Sequence, residues 1–416
     1  MADQLRVMID ARMLIGRFSG VGRFVTSLID GLQCCGGVEV VALCGEEAAE
    51  QTSLDSGVEV VRSPFRRRDR SALRRLVWEE RHLRGIIKRA KVDLFHATWN
   101  SGVPAFCPVP VVLTVHDLIP WLNANEHVAR IRDRLAYRAA MRLSAARATA
   151  ITAVSEFSRG QIVDCLGADA ARVTTVYNGA VVPPADVSMP PSPQGAPYVL
   201  YVGGHQRRKN VVGLFRVMAE VWASGHKNLE LHLTGRPEWL EAEAADVYGS
   251  LPDRSRVRFL GHPDDRALAR EYAHARAMVF LSLDEGFGLP VIEAMGHGCP
   301  VIVSNRAALP EVAGDAAVIV HPDDAQAVVG AIDRLSGDAA WRGGLVAKGL
   351  IRAKRFTWRH TAERMIHVYR TVSGRIQGSR AVVAGGILAG ARANGSTDSG
   401  TGEGNPADGV ASEARR

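Results

Sequence analysis

Two glutamates, Glu285 and Glu293, bracket the run Gly286-Phe287-Gly288-Leu289-Pro290. These residue types suggest binding chemistry: carboxylates accept hydrogen bonds from sugar hydroxyls, and bare glycine backbone lets a ligand approach closely. The apolar run Met278-Val279-Phe280-Leu281 just upstream is short enough to be a buried parallel strand. Pro290 fits the first turn of a following helix, where its missing N–H would have no intrahelical partner. The helix is predicted to run to about His297, with Gly298 near its end and Pro300 forbidding continuation. Free amides and the positive dipole end at a helix start bind anions, phosphate above all. Glu293, about one turn in, would lie deeper than such a phosphate and suits paired hydroxyls such as those of a ribose. Glu285, at the mouth, could reach the hydroxyls of a second sugar. The plainer alternative is two solvated glutamates flanking a helix, but the glycine-rich insert between them favours binding.

A second constellation follows the apolar run Tyr198–Val202: Gly203-Gly204-His205-Gln206-Arg207-Arg208-Lys209-Asn210. The glycine pair allows a tight turn. Arg208 and Lys209 then offer a bidentate fork and a point charge, a sensible clamp for a diphosphate leaving group. In the first half, Val111–Val115 ends in His116 and Asp117 at a sheet rim, where either a strand simply ending in polar residues or a functional His116 fits, with Asp117 orienting the loop. His96, ending Leu94-Phe95-His96, could line an acceptor cleft or simply end its strand. Gly20 and Gly22 follow the first strand, Leu5–Asp10, where glycine permits close approach of backbone and ligand. Ser155 reads as a helix N-cap, with Ser158 in the first turn.

The elements that must position these residues are short apolar runs alternating with helical stretches. That alternation predicts doubly wound parallel sheets, with ligands gathering at the carboxyl ends of the strands. The Pro-rich stretch Pro183-Pro184 through Pro190-Pro191-Ser192-Pro193 cannot continue a helix or central strand and marks a hinge. The expected domains are 1–185, 186–355, a last helix at 356–373, and a Gly-, Ala- and Ser-rich tail at 374–416 that reads as disordered.

At 416 residues and 47% hydrophobic content the chain can build two globular cores. No apolar run reaches the ~20 residues of a spanning helix, and the N-terminus passes straight into a strand with no visible secretory signal. Six cysteines are scattered without a C-x-x-C pair, which suggests neither disulfides nor zinc. The formal charge of +7 suits anionic partners. Basic residues concentrate in Phe65–Lys91 and Val128–Ala146, where either solvated helices or docking on acidic lipid fits. Nucleic acid ranks below lipid because few aromatics accompany the arginines.

The Glu285-x7-Glu293 spacing with Gly-Phe-Gly-Leu-Pro inside resembles the signature of retaining, two-Rossmann-domain (GT-B) glycosyltransferases of family 4, a resemblance extending over most of residues 5–373. It implies an α/β fold of two Rossmann-like domains facing across a cleft. It implies further that Glu285 contacts the donor sugar, Glu293 the nucleotide ribose, and the amides of Gly286, Phe287, Gly288 and Leu289 the diphosphate. His116 would meet the donor sugar near the reacting centre, and Arg208 and Lys209 the diphosphate. Gly20 and Gly22 would lie on a loop between diphosphate and acceptor, which makes Arg23, beside them, a basic candidate. Backbone at the Gly235 and Gly261 corners would frame the nucleobase, with His262 nearby. Glu311, after Leu309-Pro310, resembles a Pro-Glu near the donor pocket, although a structural helix start fits equally. The face Trp358, Ala362, Met365 and Tyr369 belongs to a last helix that would cross back to the first domain.

The implied reaction is transfer of a hexose from a nucleotide diphosphate sugar with retention at the anomeric carbon, without a metal or cofactor. His116, Glu285, Arg208 and Lys209 are the catalytic candidates. The runs Ile9-Asp10-Ala11-Arg12 and Thr114-Val115-His116-Asp117 resemble bacterial members that use GDP-mannose, with UDP-sugars close behind. A polyprenyl-linked glycan in surface polysaccharide biosynthesis is the expected acceptor. The expected location is the cytoplasm, peripheral at the inner membrane. The rival classes are a dinucleotide oxidoreductase, disfavoured by the poor Gly20-x-Gly22 fingerprint, a silent sugar-nucleotide sensor, and a nucleic-acid binder.

Overall fold

Among the described residues thirteen strands form two parallel sheets; the central ones are short apolar runs buried on both faces, while edge strands such as Glu59–Ser63 are partly exposed. The computed structural model describes residues 4–12, 14, 20–46, 57–64, 72–122, 131–181 and 195–374. The basic run Arg66–Arg70, the Pro-rich stretch at 183–193, residues 15–19 and the tail beyond 374 lie outside them.

The first sheet is built from β1 (Leu5–Asp10), β2 (Val38–Gly45), β3 (Glu59–Ser63), β4 (Leu94–Ala97), β5 (Val111–Val115), β6 (Ala150–Ala153) and β7 (Val173–Thr175). Its order is β3-β2-β1-β4-β5-β6-β7. The order reverses between β1 and β4, a switch point that opens a crevice at the carboxyl ends of those strands. The second sheet contains β8 (Tyr198–Tyr201), β9 (Glu230–Leu233), β10 (Val257–Phe259), β11 (Ala277–Phe280), β12 (Val301–Ser304) and β13 (Val318–Val320). Its order, β10-β9-β8-β11-β12-β13, reverses between β8 and β11. The candidate loops after β1, β4, β8 and β11 leave strands at these switch points and those after β5, β9 and β12 leave strands next to them, while the Ser155 corner after β6 and the Gly261 corner after β10 lie farther out.

Helix Trp358–Val372 closes the first domain's core. Its Ala362, Met365, Ile366 and Tyr369 are buried together with Leu5, Val7, Leu28 and Ile29. The approach to helix Gly20–Cys35 is close: a Cβ on Gly31 would stand 2.8 Å from the Trp358 carbonyl oxygen. The Tyr369 hydroxyl reaches His96 Nδ1 at 2.7 Å, and Thr361 Oγ1 donates to the Tyr177 carbonyl at 2.8 Å.

This packing corrects the reading of His96 as a cleft residue. Its ring is fully buried between Thr114 Oγ1, at 2.7 Å, and Tyr369. Burial, with His116 adding to it, pushes the imidazole down to about 3. It is a neutral core histidine with both nitrogens satisfied.

Of the basic segments, helix Ile131–Arg147 buries Tyr137, Ala140 and Met141 and leaves Ile131 and Leu135 exposed. Arg138 and Arg142 stack over the Trp121 ring at 5.5 and 4.7 Å, so part of this charge packs on the domain. Among the described residues no helix is long and apolar enough to cross a membrane.

Candidate active site

The corner after β11 is shaped by glycine. Gly288 takes φ 98°, the left-handed region, at the N-cap of helix Leu289–Gly296. A Cβ there would also come within 2.7 Å of Leu309 Cδ2. No side chain caps this helix; of its first turn, Val291 N–H bonds the Gly288 carbonyl at 2.9 Å and Pro290 has no N–H to place. The Phe287 ring turns inward against Tyr177 and Phe356 and anchors the loop from below.

Glu285 and Glu293 are both buried, and neither is a solvated flank. Glu285 Oε1 accepts from Lys209 Nζ at 2.5 Å, and Oε2 from Arg208 Nη1 at 3.3 Å. Arg208 Nη1 also donates to the Asp284 carbonyl at 3.2 Å. Two further bonds hold the β8 loop to the β11 loop: Leu283 N–H to the Arg208 carbonyl at 2.7 Å, and Asn210 Nδ2 to the Leu281 carbonyl at 3.1 Å. The two cations are therefore held against the first glutamate by their own backbone.

Burial alone would raise the Glu285 carboxyl, but Lys209 and Arg208 more than reverse that, and it sits below its ordinary value. Lys209 is pulled below its own range by burial, with Glu285 opposing and Arg208 adding to the fall. The two cations account for the fall at Glu285, and burial for the fall at Lys209. Asp284 moves the other way, pushed up to about 6 by burial and then by the like charges of Asp117 and Glu285.

Glu293 is engaged across the two domains. Its Oε1 accepts from Arg23 Nη1 at 2.6 Å and its Oε2 from the Tyr272 hydroxyl at 3.0 Å. Arg23 Nη2 also pairs with Asp265 at 2.7 Å. Gly20 opens the helix that carries Arg23, and Gly22 is buried within it.

On the first domain, His116 stands at the end of β5. Its Nε2 lies 2.9 Å from the Thr98 carbonyl, and Phe24 packs edge-on at 4.7 Å between centroids. Burial pushes the imidazole down to about 4, opposed by its bond to Thr98. Gly286 lies directly against this residue: a Cβ would fall 2.0 Å from the His116 carbonyl oxygen. Ser155 Oγ, which caps its helix by accepting from Ser158 N–H at 3.0 Å, donates to the Gly286 carbonyl at 2.7 Å. Asp117 Oδ1 accepts from Ile119 N–H at 3.2 Å and so orients its loop. Glu311 bridges the domains, accepting from Glu156 and Phe157 N–H at 2.7 and 3.0 Å, so its carboxylate caps a helix of the other domain.

Glu285, Arg208, Lys209, Gly286 and His116 thus share one locus, and Glu293 joins it through helix Leu289–Gly296. Gly235 sits apart, at φ 103°, exchanging backbone bonds with Gly261 at 2.7 and 2.9 Å beneath the His205 ring. His262 lies 4.4 Å from the Trp239 ring. Four participants were not singled out from the sequence: Asp284, Tyr272, Asp265 and Asn100. Asp284 had a signal, standing beside Glu285; the other three are ordinary helix or loop residues until the fold brings them in.

Comparisons with known proteins bear on the family and the fold. Residues 18–181 match the family model described as Glycosyltransferase Family 4, and residues 196–338 match Glycosyl transferases group 1. The O-antigen chain mannosyltransferase B of Escherichia coli is 32% identical over 272 residues, 62% of this chain and 70% of that protein. The O-antigen chain mannosyltransferase RfbU of Salmonella typhimurium is 28% identical over 273 residues, 64% of this chain and 72% of that one. Among solved structures, a sucrose-phosphate synthase from Thermosynechococcus elongatus superposes with TM-score 0.71 at 21% identity, covering 90% of this chain and all of that one. WaaG, a glycosyltransferase involved in lipopolysaccharide biosynthesis, gives 0.67 at 15% identity, covering 88% and 99%. At those identities the likeness shows the fold, which is GT-B.

Proposed function

Because the chain belongs to the group 1, family 4 glycosyltransferases, we propose that it transfers mannose from GDP-mannose, with retention, to a growing glycan or lipid-linked glycan. The observation that carries the reading is the buried Glu285–Arg208–Lys209 cluster packed through Gly286 against His116. Mannosyltransferases among the relatives support the sugar, and O-antigen names among them support the acceptor class.

In this reading the diphosphate lies between the start of helix Leu289–Gly296 and the Arg208–Lys209 pair. Those cations take up the charge that grows as the C1–O bond to phosphate breaks. Glu285 holds them in register and accepts from a donor-sugar hydroxyl, while Glu293 receives the ribose hydroxyls in place of Arg23. The acceptor hydroxyl attacks C1 from the face the phosphate leaves. Its proton passes to the departing phosphate oxygen, so that one glycosidic bond replaces another and the nucleoside diphosphate carries the proton away. Because the cluster supplies its own positive charge, the reading needs no metal. The exposed Ile131 and Leu135 beside Arg132 and Arg134 support peripheral contact with an acidic membrane on the cytoplasmic side.

The test incubates the full chain with GDP-[14C]mannose or UDP-[14C]glucose and a lipid-linked oligosaccharide extract, followed by NMR of the product's anomeric proton. Label entering lipid from GDP-mannose with the donor's configuration is the expected result. Transfer only from UDP-glucose would replace the donor assignment, and an inverted product would remove the same-face mechanism.

A further inference from the structure

The sequence run Ile9-Asp10-Ala11-Arg12 plays no part in the reaction described above, yet it sits at the first sheet's switch point. Arg12 is buried, with Nε and Nη2 on Asp10 at 2.8 and 2.7 Å and Nη2 on Glu79 at 3.1 Å, and its guanidinium lies over Trp78 at 4.9 Å. Glu79 opens a π-turn, Glu79–Leu83, inserted between two α-helical segments. A buried ionic triad stabilises a fold poorly compared with packed apolar residues, because three charges lose their water. Its usefulness lies in fixing position.

What it fixes is the loop after β4. Thr98 Oγ1 donates to the Asp10 carbonyl, and Gly102 lies so close that a Cβ would come within 3.1 Å of Glu79 Oε1. Two residues of this loop hold His116. The Thr98 carbonyl faces Nε2, and a carbonyl only accepts, so Nε2 carries the ring proton. Asn100, itself buried, spans the next peptides: Oδ1 accepts from His116 N–H at 2.8 Å, and Nδ2 donates to the Asp117 carbonyl at 2.8 Å. Only a side chain with one acceptor and one donor at that separation makes both bonds. Aspartate supplies a second acceptor against a carbonyl, and alanine supplies neither.

We propose that Asn100 is a positioning residue for sugar transfer: by fixing the His116 and Asp117 backbone it keeps the imidazole against the Thr98 carbonyl, which holds the Nε2–H tautomer, so that Nδ1 presents a lone pair to a hydroxyl of the donor sugar. This rests on the reading that His116 faces that sugar. No described residue bonds Nδ1, and the low imidazole basicity keeps the ring neutral at pH 7. His116 is thereby an acceptor only, and it selects a donor that presents an O–H there. Gly286, pressed on the His116 carbonyl, passes the same alignment to the Glu285 loop.

The experiment combines kinetics with NMR on the full chain. Asn100→Asp and the milder Asn100→Ser are each made alone and with His116→Ala, and kcat and donor KM are measured. Asn100→Asp is expected to lower kcat by roughly ten- to a hundredfold with donor KM within about threefold, the loss expected of a misoriented group. In the His116→Ala background the same change is expected to cost less than about twofold, because the group it positions is gone. Long-range 15N–1H spectra should show the His116 proton on Nε2 in the wild type and a tautomer mixture in Asn100→Asp. The proposal is overturned by an unchanged kcat in Asn100→Asp, by equal losses in both backgrounds, or by a wild-type proton on Nδ1. If wild type transfers no sugar, or His116→Ala matches it, the underlying reading of the site fails instead, and the spectra still decide whether Asn100 sets the tautomer.

Discussion

Replacing Lys209 by methionine removes a cation while keeping much of the side chain's volume, and the consequences separate stability from chemistry. Lys209 Nζ and Glu285 Oε1 are 2.5 Å apart, with side chains 13% and 9% exposed, so solvent screens the pair little. Removing one partner of a buried pair costs about 3–5 kcal/mol, but Arg208 remains 3.3 Å from the other carboxylate oxygen, which brings the expected loss to about 2–3 kcal/mol. For a domain of this size that lowers the melting temperature by roughly 4–10 °C. The loss depends on pH in a definite direction. In the wild type the Glu285 carboxyl lies below its ordinary 4.5, so its stabilisation is present above pH 4.5 and disappears as pH falls through the lower folded value. Without Lys209 the burial effect dominates, the folded value rises, and the charged carboxylate becomes a liability as pH increases. The gap between Lys209→Met and wild type should therefore be widest near pH 8 and narrow toward pH 5. Turnover should fall by about 10²–10³, the scale of one lost electrostatic contact to a developing charge. Calorimetric melts from pH 5 to 8 and donor titrations measure both. A melting curve that matches wild type at pH 8, or turnover within threefold, would refute the cluster's role.

Three further outcomes follow from the same region. Asp284→Asn should raise stability by about 1–2 kcal/mol at pH 8, discounted for partial exposure, and by nothing below pH 3.8; the raised carboxyl favours folding only while protonated, and that advantage is lost as pH rises through about 6. Denaturant titrations at pH 4 and pH 8 read the difference. Gly286→Ala should cut turnover more than a hundredfold, because its methyl group would have to displace backbone at the His116 carbonyl; a rate within tenfold of wild type would show that the loop yields cheaply. Tyr369→Phe should cost about 1–2 kcal/mol by leaving His96 Nδ1 unsatisfied, with kcat unchanged; a kcat loss would return His96 to the cleft.

The strands were legible because a buried parallel strand needs apolar residues on both faces, and runs such as Val111–Val115 and Val301–Ser304 carry little else. The helix after β11 was legible because Gly288 and Pro290 each answer a local demand of its first turn. What the glutamates touch was not. Arg23 meets Glu293 across 270 positions of chain, and Lys209 meets Glu285 across 76, so no local pattern records either pair. His96 was weighed as a cleft residue for the same reason, since its partner Tyr369 lies 273 positions away. Glu311 looked like a donor-pocket acid from its Pro-Glu setting, and only the fold shows its carboxylate capping the helix that starts at Glu156.

Helix Trp358–Val372 packs into a core whose other members lie before residue 177. In topological terms, the second sheet is an insertion in the first domain. During synthesis the first seven strands emerge with Leu28, Ile29 and His96 still lacking the residues that finally cover or bond them, while β8–β13 and their helices are made complete. The lobe made later should therefore mature sooner, and a ribosome-stalled chain whose residues through Phe356 have left the exit tunnel should protect its latter half from protease while its beginning remains open to digestion.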